Sequence, residues 1–192
     1  MESNLLKLIT HGIILAGGQS QRFKSNKALH LVKNQTLLER TISLVQALNL
    51  QPVIVASSNQ DYHFTGQLIL TDSVSNQGPL RGLQTAFNAF ANSTLLVLSC
   101  DMPNLNIEVL QHLIQHSKQN AATLYRLNSN YKQPFPAIYD STLIKKVEQQ
   151  LSKKKFSMQE FLSDISLKEI ENPFSPSIFL NLNHQSDISQ IV

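Results

Sequence analysis

The sequence predicts an α/β protein in which helices cover both faces of a mostly parallel central sheet, giving three layers. Short apolar runs rich in β-branched residues recur along the chain, and they have the length and composition of buried parallel strands. Segments with apolar residues at helical spacing separate these runs in the first half, and such alternation is typical of parallel sheets. A hydrophobic content of 42% with 15% charged residues indicates a globular chain rather than a disordered one.

Length, charge and cysteine content indicate the number of domains, the kind of partner and the cellular setting. A chain of 192 residues suggests one domain with a full core, and we expect residues 1–192 to form it. No apolar run approaches the length of a membrane span. The net charge of +3 is mild: it is compatible with a small anionic ligand but indicates no particular partner. Basic residues are not interleaved with aromatic ones, so we expect no nucleic acid partner. Because there is no apolar run of membrane length, we expect no membrane partner either. A single cysteine excludes an intramolecular disulfide and fits a reduced, cytoplasmic setting.

Strands are predicted throughout the chain. In the first half they cover residues 13–15, 52–56, 68–70 and 95–98, of which the last run is the most apolar. In the second half they cover residues 121–126, 135–139, 167–171 and 178–183. We expect Pro134 and Pro136 to break the start of the strand at 135–139, and residues 167–171 to form an edge strand.

Helices are predicted between and after these strands. They are expected to begin at or just after Thr36, Gly78, Asn106, Ser141 and Ser157. Thr36 and Ser157 each precede a glutamate by three residues, which is the pattern of a capping box, and Asn106 is a candidate N-cap. In open sheets of this class, ligands bind beyond the carboxyl ends of the strands. That rule gathers Gly17, Asp72, Asp101 and Asn183 along one edge of the predicted sheet.

The residues after the first strand have the features of a phosphate-binding loop. Gly17 and Gly18 have no Cβ and tolerate φ > 0, so an anion can approach the backbone N–H groups closely there. Arg22, Lys24 and Lys27 follow and add positive charge. The combination favours a phosphate cradle over the alternative, an ordinary glycine turn with solvated cations.

The same stretch resembles a known family of enzymes. Leu15-Ala16-Gly17-Gly18-x-Ser20-x-Arg22 through Lys27 is similar to the signature of nucleotidyltransferases with a Rossmann-like, GlcNAc-1-phosphate-uridyltransferase-like fold. More narrowly, it resembles the molybdenum cofactor guanylyltransferases, whose pattern is L-A-G-G-x-S-x-R-M-G-x-D-K. Phe23, Lys24 and Asn26 stand here for Met, Gly and Asp. The resemblance implies a set of nucleotide-binding residues in this loop: Leu15, Ala16, Gly17, Gly18 and Lys27.

Asp101 is the candidate metal ligand. It lies just past the most apolar strand, where a carboxylate is costly unless it is paired, capped or bound to a cation. Mg²⁺ takes one or two carboxylates and completes its octahedron with water and substrate phosphates. The alternative is a helix cap or a turn former. The resemblance agrees with the metal role, because residues 100–103 match the metal-binding segment of the family and imply a nucleotide contact as well.

Asp72 and the turn at Gly78 are candidates for nucleotide contacts. Residues 78–82 match the G-P-L-x-G motif of the family, so the resemblance implies that Gly78, Pro79 and Leu80 lie against the nucleotide. Asp72 matches an acidic position that the resemblance implies contacts GTP. A carboxylate can accept two hydrogen bonds from the N1–H and N2–H₂ edge of guanine. A ribose contact is equally compatible with the sequence, and a turn aspartate at a strand end is the alternative.

Two asparagines near the C-terminus complete the candidate site. Residues 179–183 resemble the F-x-N-x-N-T ending of the family, with His184 in place of the final Thr. In a strand, Asn181 and Asn183 point to the same face. One of them is expected to contact the metal, for which Asn183 is the candidate, or the second substrate, and a polar strand end is the alternative. Residues 133–135 fall where relatives carry a pterin-side segment.

The resemblance implies transfer of GMP from GTP to the terminal phosphate of molybdenum-bound molybdopterin, with Mg²⁺ as cofactor and release of pyrophosphate. Arg22, Lys27 and Asp101 are then the catalytic residues, and transient contacts with cofactor-synthesis or acceptor proteins are expected. The residues alone reach only Mg²⁺-dependent nucleotidyl transfer or nucleotide binding. A cytidylyltransferase or a sugar-1-phosphate nucleotidyltransferase of similar fold stays open, as does a catalytically silent nucleotide-binding protein.

Three further residues are predicted to have structural roles. His112 and His116 are four residues apart on a predicted helix, which is a spacing found in metal ligands. The segment lacks the glutamate of a zinc protease motif, so a solvated helix face is the prediction. Cys100 has no candidate base near it in the sequence and is predicted to lie in the core.

Overall fold

The computed structural model describes residues 9–17, 26–72, 78–118, 121–127, 131–183 and 187. The strands in these ranges are β1 (Ile9–Leu15), β2 (Leu31–Val32), β3 (Gln35–Thr36), β4 (Gln51–Ser57), β5 (Leu68–Asp72), β6 (Thr94–Ser99), β7 (Ala122–Arg126), β8 (Lys132–Asp140) and β9 (Leu167–Glu171). The α-helices are α1 (Leu37–Ala47), α2 (Gly78–Ala89), α3 (Ile107–Gln115), α4 (Ile144–Ser152) and α5 (Met158–Ser163). Short 3₁₀ turns cover Lys27–Leu29, His63–Thr65, Ser141–Leu143 and Pro176–Phe179.

One seven-stranded sheet forms the centre of the protein, with strand order β5-β4-β1-β6-β8-β7-β9. Strands β5, β4, β1 and β6 are parallel, β8 runs antiparallel to both β6 and β7, and β9 pairs parallel with β7. The predicted mostly parallel sheet with an edge strand at residues 167–171 is therefore confirmed. Strands β2 and β3 form a separate two-stranded hairpin.

Helices cover both faces of this sheet, as the alternation of side chains along β1 demonstrates. Ile14 belongs to the core cluster that contains α1 and α3, whereas its neighbours Ile13 and Leu15 belong to the cluster that contains α2, α4 and α5. Successive side chains of a strand point to opposite faces, so the two clusters are two separate apolar layers. This arrangement confirms the three-layer prediction. In the described part of the chain, no helix combines the length and apolar character that crossing a membrane requires.

The predicted helix starts are confirmed where a side chain caps the helix. Thr36 and Glu39 form the expected capping box at the start of α1, with each side chain bonded to the other residue's backbone N–H. Asn106 accepts a hydrogen bond from the Val109 N–H at the start of α3. Ser157 likewise accepts from the N–H three residues later in α5. The helix predicted from residue 141 begins instead as a 3₁₀ turn and becomes α-helical at Ile144.

The prediction that proline breaks the strand at residue 135 is wrong. Strand β8 begins at Lys132 and contains both Pro134 and Pro136. Its pairing with β6 covers residues 137–140, and the register against β7 shifts between Ala137 and Lys132. The prolines lie in the irregular stretch between these paired positions. Proline has no backbone N–H, and no regular hydrogen bond between strands is lost there.

The prediction of a final strand at residues 178–183 is also wrong. Pro176–Phe179 is a 3₁₀ turn, capped by Ser175, whose side chain accepts a hydrogen bond from the Ser177 N–H. Residues 180–183 follow without regular structure. The Leu182 N–H donates to the Asp101 carbonyl at 2.9 Å instead of to a strand, so this segment contacts the loop after β6.

Candidate active site

A cleft lies at the carboxyl ends of β1, β5 and β6, where the strand-end rule predicted it. Its larger part, the Asp101 cavity, has a volume of about 260 Å³ and is lined by Leu15, Gly17, Pro79, Ser99, Asp101, Gln133, Pro134, Phe135 and Asn181. Its narrower part, the Asp72 cleft, is lined by Leu15, Gly17, Val55, Ala56, Asp72, Gly78, Pro79 and Gly82. The two parts share Leu15, Gly17 and Pro79 and are therefore contiguous.

Asp101 and Lys27 form an ion pair at the wall of the larger cavity. The distance from Lys27 Nζ to Asp101 Oδ2 is 2.9 Å, and the two side chains are only 15% and 20% exposed. Ser99 Oγ donates a hydrogen bond to the other carboxylate oxygen, Asp101 Oδ1. This partial burial sets the pair apart from a solvated surface contact, because screening by water is weaker there. The two residues that the sequence places 74 positions apart thus lie in direct contact.

Asn26 fixes the entry to the turn that carries Lys27. Its Oδ1 accepts a hydrogen bond from the Ala28 N–H at 3.1 Å, which caps the 3₁₀ turn. Its Nδ2 donates to the Tyr62 hydroxyl oxygen at 3.0 Å. The Tyr62 hydroxyl in turn reaches the Ala16 carbonyl at 3.3 Å. The Tyr62 hydroxyl also lies 3.1 Å from Asn26 Oδ1, so its one proton can go to that oxygen or to the Ala16 carbonyl. An asparagine can both donate to the hydroxyl and accept from it, whereas an aspartate can only accept.

Tyr62 is the centre of this network and has no exposed surface. Burial raises the pKa of its hydroxyl to about 12, so the group stays protonated at neutral pH and can donate to Ala16. Its contacts with Ala16 and Asn26 join the backbone before the glycine loop to the backbone after it. Nothing in the local sequence indicates this role, because the contact with Ala16 spans 46 residues.

The first residues of the glycine loop contribute backbone packing. The N–H groups of Ala16 and Gly17 both donate to the Val55 carbonyl, at 2.9 and 3.1 Å, and so extend the pairing of β1 with β4. A Cβ on Gly17 would lie 3.2 Å from the Ser57 backbone nitrogen, so this position has little room for a side chain. The predicted roles of Gly18, Arg22 and Lys24 lie outside the described residues.

The turn at Gly78 borders both parts of the cleft through Pro79. Gly78 has φ +69°, a conformation that favours glycine, and it begins α2 directly. Leu80 differs from its neighbours, since its side chain is fully buried in the core and does not line either cavity. Asp72, at the end of β5, lines the narrower part as the sequence predicted.

The two predicted asparagines separate in the structure. Asn181 lines the Asp101 cavity, whereas Asn183 is exposed and lines neither part of the cleft. They do not share the face of a strand, because residues 180–183 are irregular. The Asn183 N–H donates to the Asp187 carboxylate at 2.8 Å. The residue brought towards Asp101 is therefore Asn181.

The far wall of the Asp101 cavity comes from β8. Gln133 is only 3% exposed and its Nε2 donates to the Phe135 carbonyl. Pro134 and Phe135 line the cavity beside it. The segment for which the resemblance implied a pterin-side role thus lines the same cavity as Asp101.

Cys100 adjoins Asp101 but is not a candidate nucleophile. Its side chain is 7% exposed and belongs to the core cluster of the α1 face, as predicted. Burial, and then the neighbouring Asp101 charge, raise the pKa of the thiol to about 12. It is therefore a neutral thiol at physiological pH, and the thiolate that nucleophilic attack requires is scarce.

Comparison with known proteins gives the family of the chain. Residues 12–169 match the family described as the MobA-like NTP transferase domain. The chain belongs to this family. A molybdenum cofactor guanylyltransferase of Syntrophotalea carbinolica is 28% identical over 186 residues, covering 93% of this chain and 88% of that one. A "Probable molybdenum cofactor guanylyltransferase" of Clostridium perfringens is 31% identical over 195 residues, covering 93% and 94% of the two chains.

Solved structures of MobA-like and related enzymes share the fold. The molybdopterin-guanine dinucleotide biosynthesis protein A of Archaeoglobus fulgidus aligns with a TM-score of 0.77 at 18% identity, covering 95% of this chain and 96% of that one. A 2-C-methyl-D-erythritol 4-phosphate cytidylyltransferase of Thermus thermophilus aligns with a TM-score of 0.70 at 11% identity, covering 94% and 96%. The predicted nucleotidyltransferase fold is thereby confirmed.

Proposed function

We propose that this protein transfers GMP from GTP to the terminal phosphate of molybdenum-bound molybdopterin and releases pyrophosphate. The observation that carries the proposal is the Lys27–Asp101 pair in a cleft at the strand ends of a MobA-like NTP transferase chain. Relatives named molybdenum cofactor guanylyltransferases align over nearly the whole chain and support the choice of substrates.

We divide the two substrates between the two parts of the cleft, although the Asp72 part has a volume of only about 20 Å³ and must widen to take a nucleotide. We assign GTP to the side of the Asp72 cleft, where the Asp72 carboxylate is part of the wall and its oxygens can accept hydrogen bonds from the guanine edge or the ribose. The pterin phosphate then enters the Asp101 cavity, against Gln133, Phe135 and Asn181. Gly17 and Pro79 border both parts, so the α-phosphate of GTP is expected where the parts meet.

The residues around Asp101 fit a magnesium ion. Mg²⁺ prefers oxygen ligands and needs only one or two carboxylates from a protein. The described residues contain no group of three or more His, Cys, Asp or Glu side chains that could hold a metal, so Asp101 would be the principal ligand. Asn181 lines the same cavity and replaces Asn183 as the second candidate. A bound Mg²⁺ would neutralise phosphate charge as pyrophosphate leaves.

The reaction needs positioning and cations rather than a general base. The nucleophile is a phosphate oxygen, which is already ionised at neutral pH, and the barrier arises mainly from repulsion between anions. Lys27 supplies a positive charge held at a fixed position by Asp101 and by the capped turn after Asn26. Arg22 is proposed to add a second charge on the triphosphate.

Turnover with the four nucleotides tests this proposal. Purified protein with Mg²⁺ and molybdenum-bound molybdopterin should release pyrophosphate from GTP in clear preference to CTP, ATP and UTP. Preference for CTP would assign the protein to the cytidylyltransferases of similar fold. If the protein binds GTP but shows no turnover under any condition, it is a catalytically silent nucleotide-binding protein.

Tyr62→Phe is expected to raise the KM for GTP severalfold, with a small loss of stability. The change removes the hydroxyl that joins Ala16 to Asn26, so Lys27 is held less firmly, while the ring still fills the core. A net hydrogen bond contributes about 0.5–1.5 kcal/mol, and thermal unfolding measures that part.

Tyr125→Phe is the matched control for this prediction. Tyr125 is also a fully buried tyrosine on the same face of the sheet, and its hydroxyl donates to the Val109 carbonyl, away from the cleft. We expect it to lose a similar amount of stability with no change in KM. Equal changes in KM for both variants would mean that Tyr62 acts only through global stability.

A further inference from the structure

A further cavity lies between α1 and the loop that follows Asp101. This cavity, the Arg40 cavity, has a volume of about 220 Å³, and its walls include Leu37, Arg40, Leu44, Met102, Pro103 and Leu105. None of the residues that line it also lines the Asp101 cavity or the Asp72 cleft. The Arg40 cavity is therefore separate from the proposed site of guanylyl transfer.

The walls of the Arg40 cavity are mostly apolar. Leu37, Met102 and Leu105 are buried, and Leu44 packs against the core cluster that contains the last two. The buried hydroxyl of Thr41, which is also in the lining, already donates to the Leu37 carbonyl at 2.9 Å. Binding sites for small molecules have this composition, with apolar walls and a few polar groups. The walls thus suit a ligand with an apolar body.

Arg40 is the one charged residue in the lining of this cavity. Its Nη2 donates to the Pro103 carbonyl at 2.9 Å, which uses one of the several N–H donors of the guanidinium. None of the ion pairs between described residues includes Arg40. The carboxylate of Glu39, its neighbour in α1, bonds instead to the backbone and the hydroxyl of Thr36.

The electrostatics of the Arg40 cavity favour an anionic occupant. Arg40 is half-buried, so its guanidinium has lost part of its hydration, and no carboxylate of the described residues compensates for that loss. The neutral carbonyl of Pro103 offsets only part of the cost. Lys27, the cation at the wall of the Asp101 cavity, has a carboxylate partner in Asp101.

From this geometry we propose that the Arg40 cavity binds a small organic carboxylate with an apolar body. The planar fork of a guanidinium can bond both oxygens of a carboxylate. The single cation in the lining matches one negative charge, whereas a phosphate monoester carries nearly two at neutral pH. The volume is below the roughly 300–1,000 Å³ of sites for drug-sized ligands, so the body is about the size of a single ring.

Titration with benzoate, followed by the amide signals of the isotope-labelled full chain in NMR spectra, tests the proposal. Benzoate is a carboxylate on a single ring, and benzamide is its neutral counterpart of nearly the same shape. We expect benzoate to cause saturable shifts of amide signals in α1 and at residues 102–105, with little change at Gly17 and Gly78 in the cleft. Benzamide should bind about 10–100-fold more weakly, the scale of a hydrogen bond to a charged group.

Three arginine variants make the test specific to Arg40. Arg40→Met removes the charge but keeps an unbranched apolar side chain, and it should weaken benzoate binding about 10–100-fold. Arg40→Lys keeps the charge and loses the fork, so its effect should be smaller. Arg126→Met is the matched control, because Arg126 is half exposed, pairs with Glu171 and does not line the cavity. It should bind benzoate as tightly as the unaltered protein.

Several outcomes would overturn the proposal. Equal affinities for benzoate and benzamide would do so without any variant, as would the absence of saturable shifts or shifts confined to the cleft. Unchanged benzoate affinity in a folded Arg40→Met protein would also do so. Because Arg40 holds the Pro103 carbonyl, the fold of each variant is checked by comparing its amide spectrum with that of the unaltered protein.

Discussion

We expect the Asp101→Ala enzyme to lose about 10²–10³-fold in kcat, the scale of removing one preorganised electrostatic group. The carboxylate faces the larger cavity, and both of its oxygens are oriented, one by Lys27 and one by Ser99. Its removal takes away the proposed metal ligand and the partner that fixes Lys27. Steady-state kinetics over a range of Mg²⁺ concentrations measure the effect.

Two other aspartate variants make this prediction specific. Asp101→Asn keeps the shape and the hydrogen bond from Ser99 but loses the charge, so it should also be impaired in Mg²⁺-dependent turnover. Asp164 is an exposed aspartate directly after α5, and it serves as the control. The Asp164→Ala enzyme should have normal kinetics. Near-normal turnover in a folded Asp101→Ala protein would exclude Asp101 as the metal ligand.

Lys27→Ala is expected to weaken GTP binding or turnover by about 10–100-fold. A hydrogen bond to a charged group contributes about 1.5–3 kcal/mol, which corresponds to this range. The ammonium group lies 2.9 Å from Asp101, so the variant also leaves that carboxylate without its cation. A GTP titration measured by calorimetry, together with kcat and KM, separates binding from chemistry.

Lys155→Ala is the matched control for Lys27. Lys155 also forms an ion pair, with Glu160 at 3.3 Å, but both side chains are about half exposed and the pair lies outside the cleft. We expect its GTP titration to match that of the unaltered protein. The double variant Lys27→Ala, Asp101→Ala should be less impaired than the product of the single effects, because the two groups are in contact. Strictly multiplicative effects would argue against their acting as one unit.

Local patterns in the sequence predicted the elements of the fold well. Thr36 and Asn106 mark the starts of α1 and α3 because an N-cap depends only on residues within one turn. The prediction of a strand at residues 178–183 is wrong because a strand, unlike an N-cap, depends on segments far away in the sequence. Its apolar character is genuine, but a strand needs a neighbour, and the Leu182 N–H bonds instead to the Asp101 carbonyl. Pairing between distant segments cannot be read from the alternation of residues alone.

The residues of the candidate site likewise fall into those that the sequence predicted and those that it did not. Gly17, Asp72 and Asp101 were predicted because each follows a strand, and parallel strands bring such residues to one edge. The roles of Tyr62 and Ser99 were missed. Ser99 lies two residues before Asp101, which is a local signal that could have been used. Tyr62 reaches Asn26 and Ala16 across the fold, and no local pattern predicts that contact.

The most direct test of the account follows the α-phosphate of GTP in a single turnover. With GTP labelled at that phosphate, Mg²⁺ and molybdenum-bound molybdopterin, the label should appear in a guanine dinucleotide form of the cofactor, and the released pyrophosphate should be unlabelled. The Asp101→Ala protein should form this product far more slowly. Label that stays in GTP, or is released only as free GMP, would contradict the assignment of this cleft to guanylyl transfer.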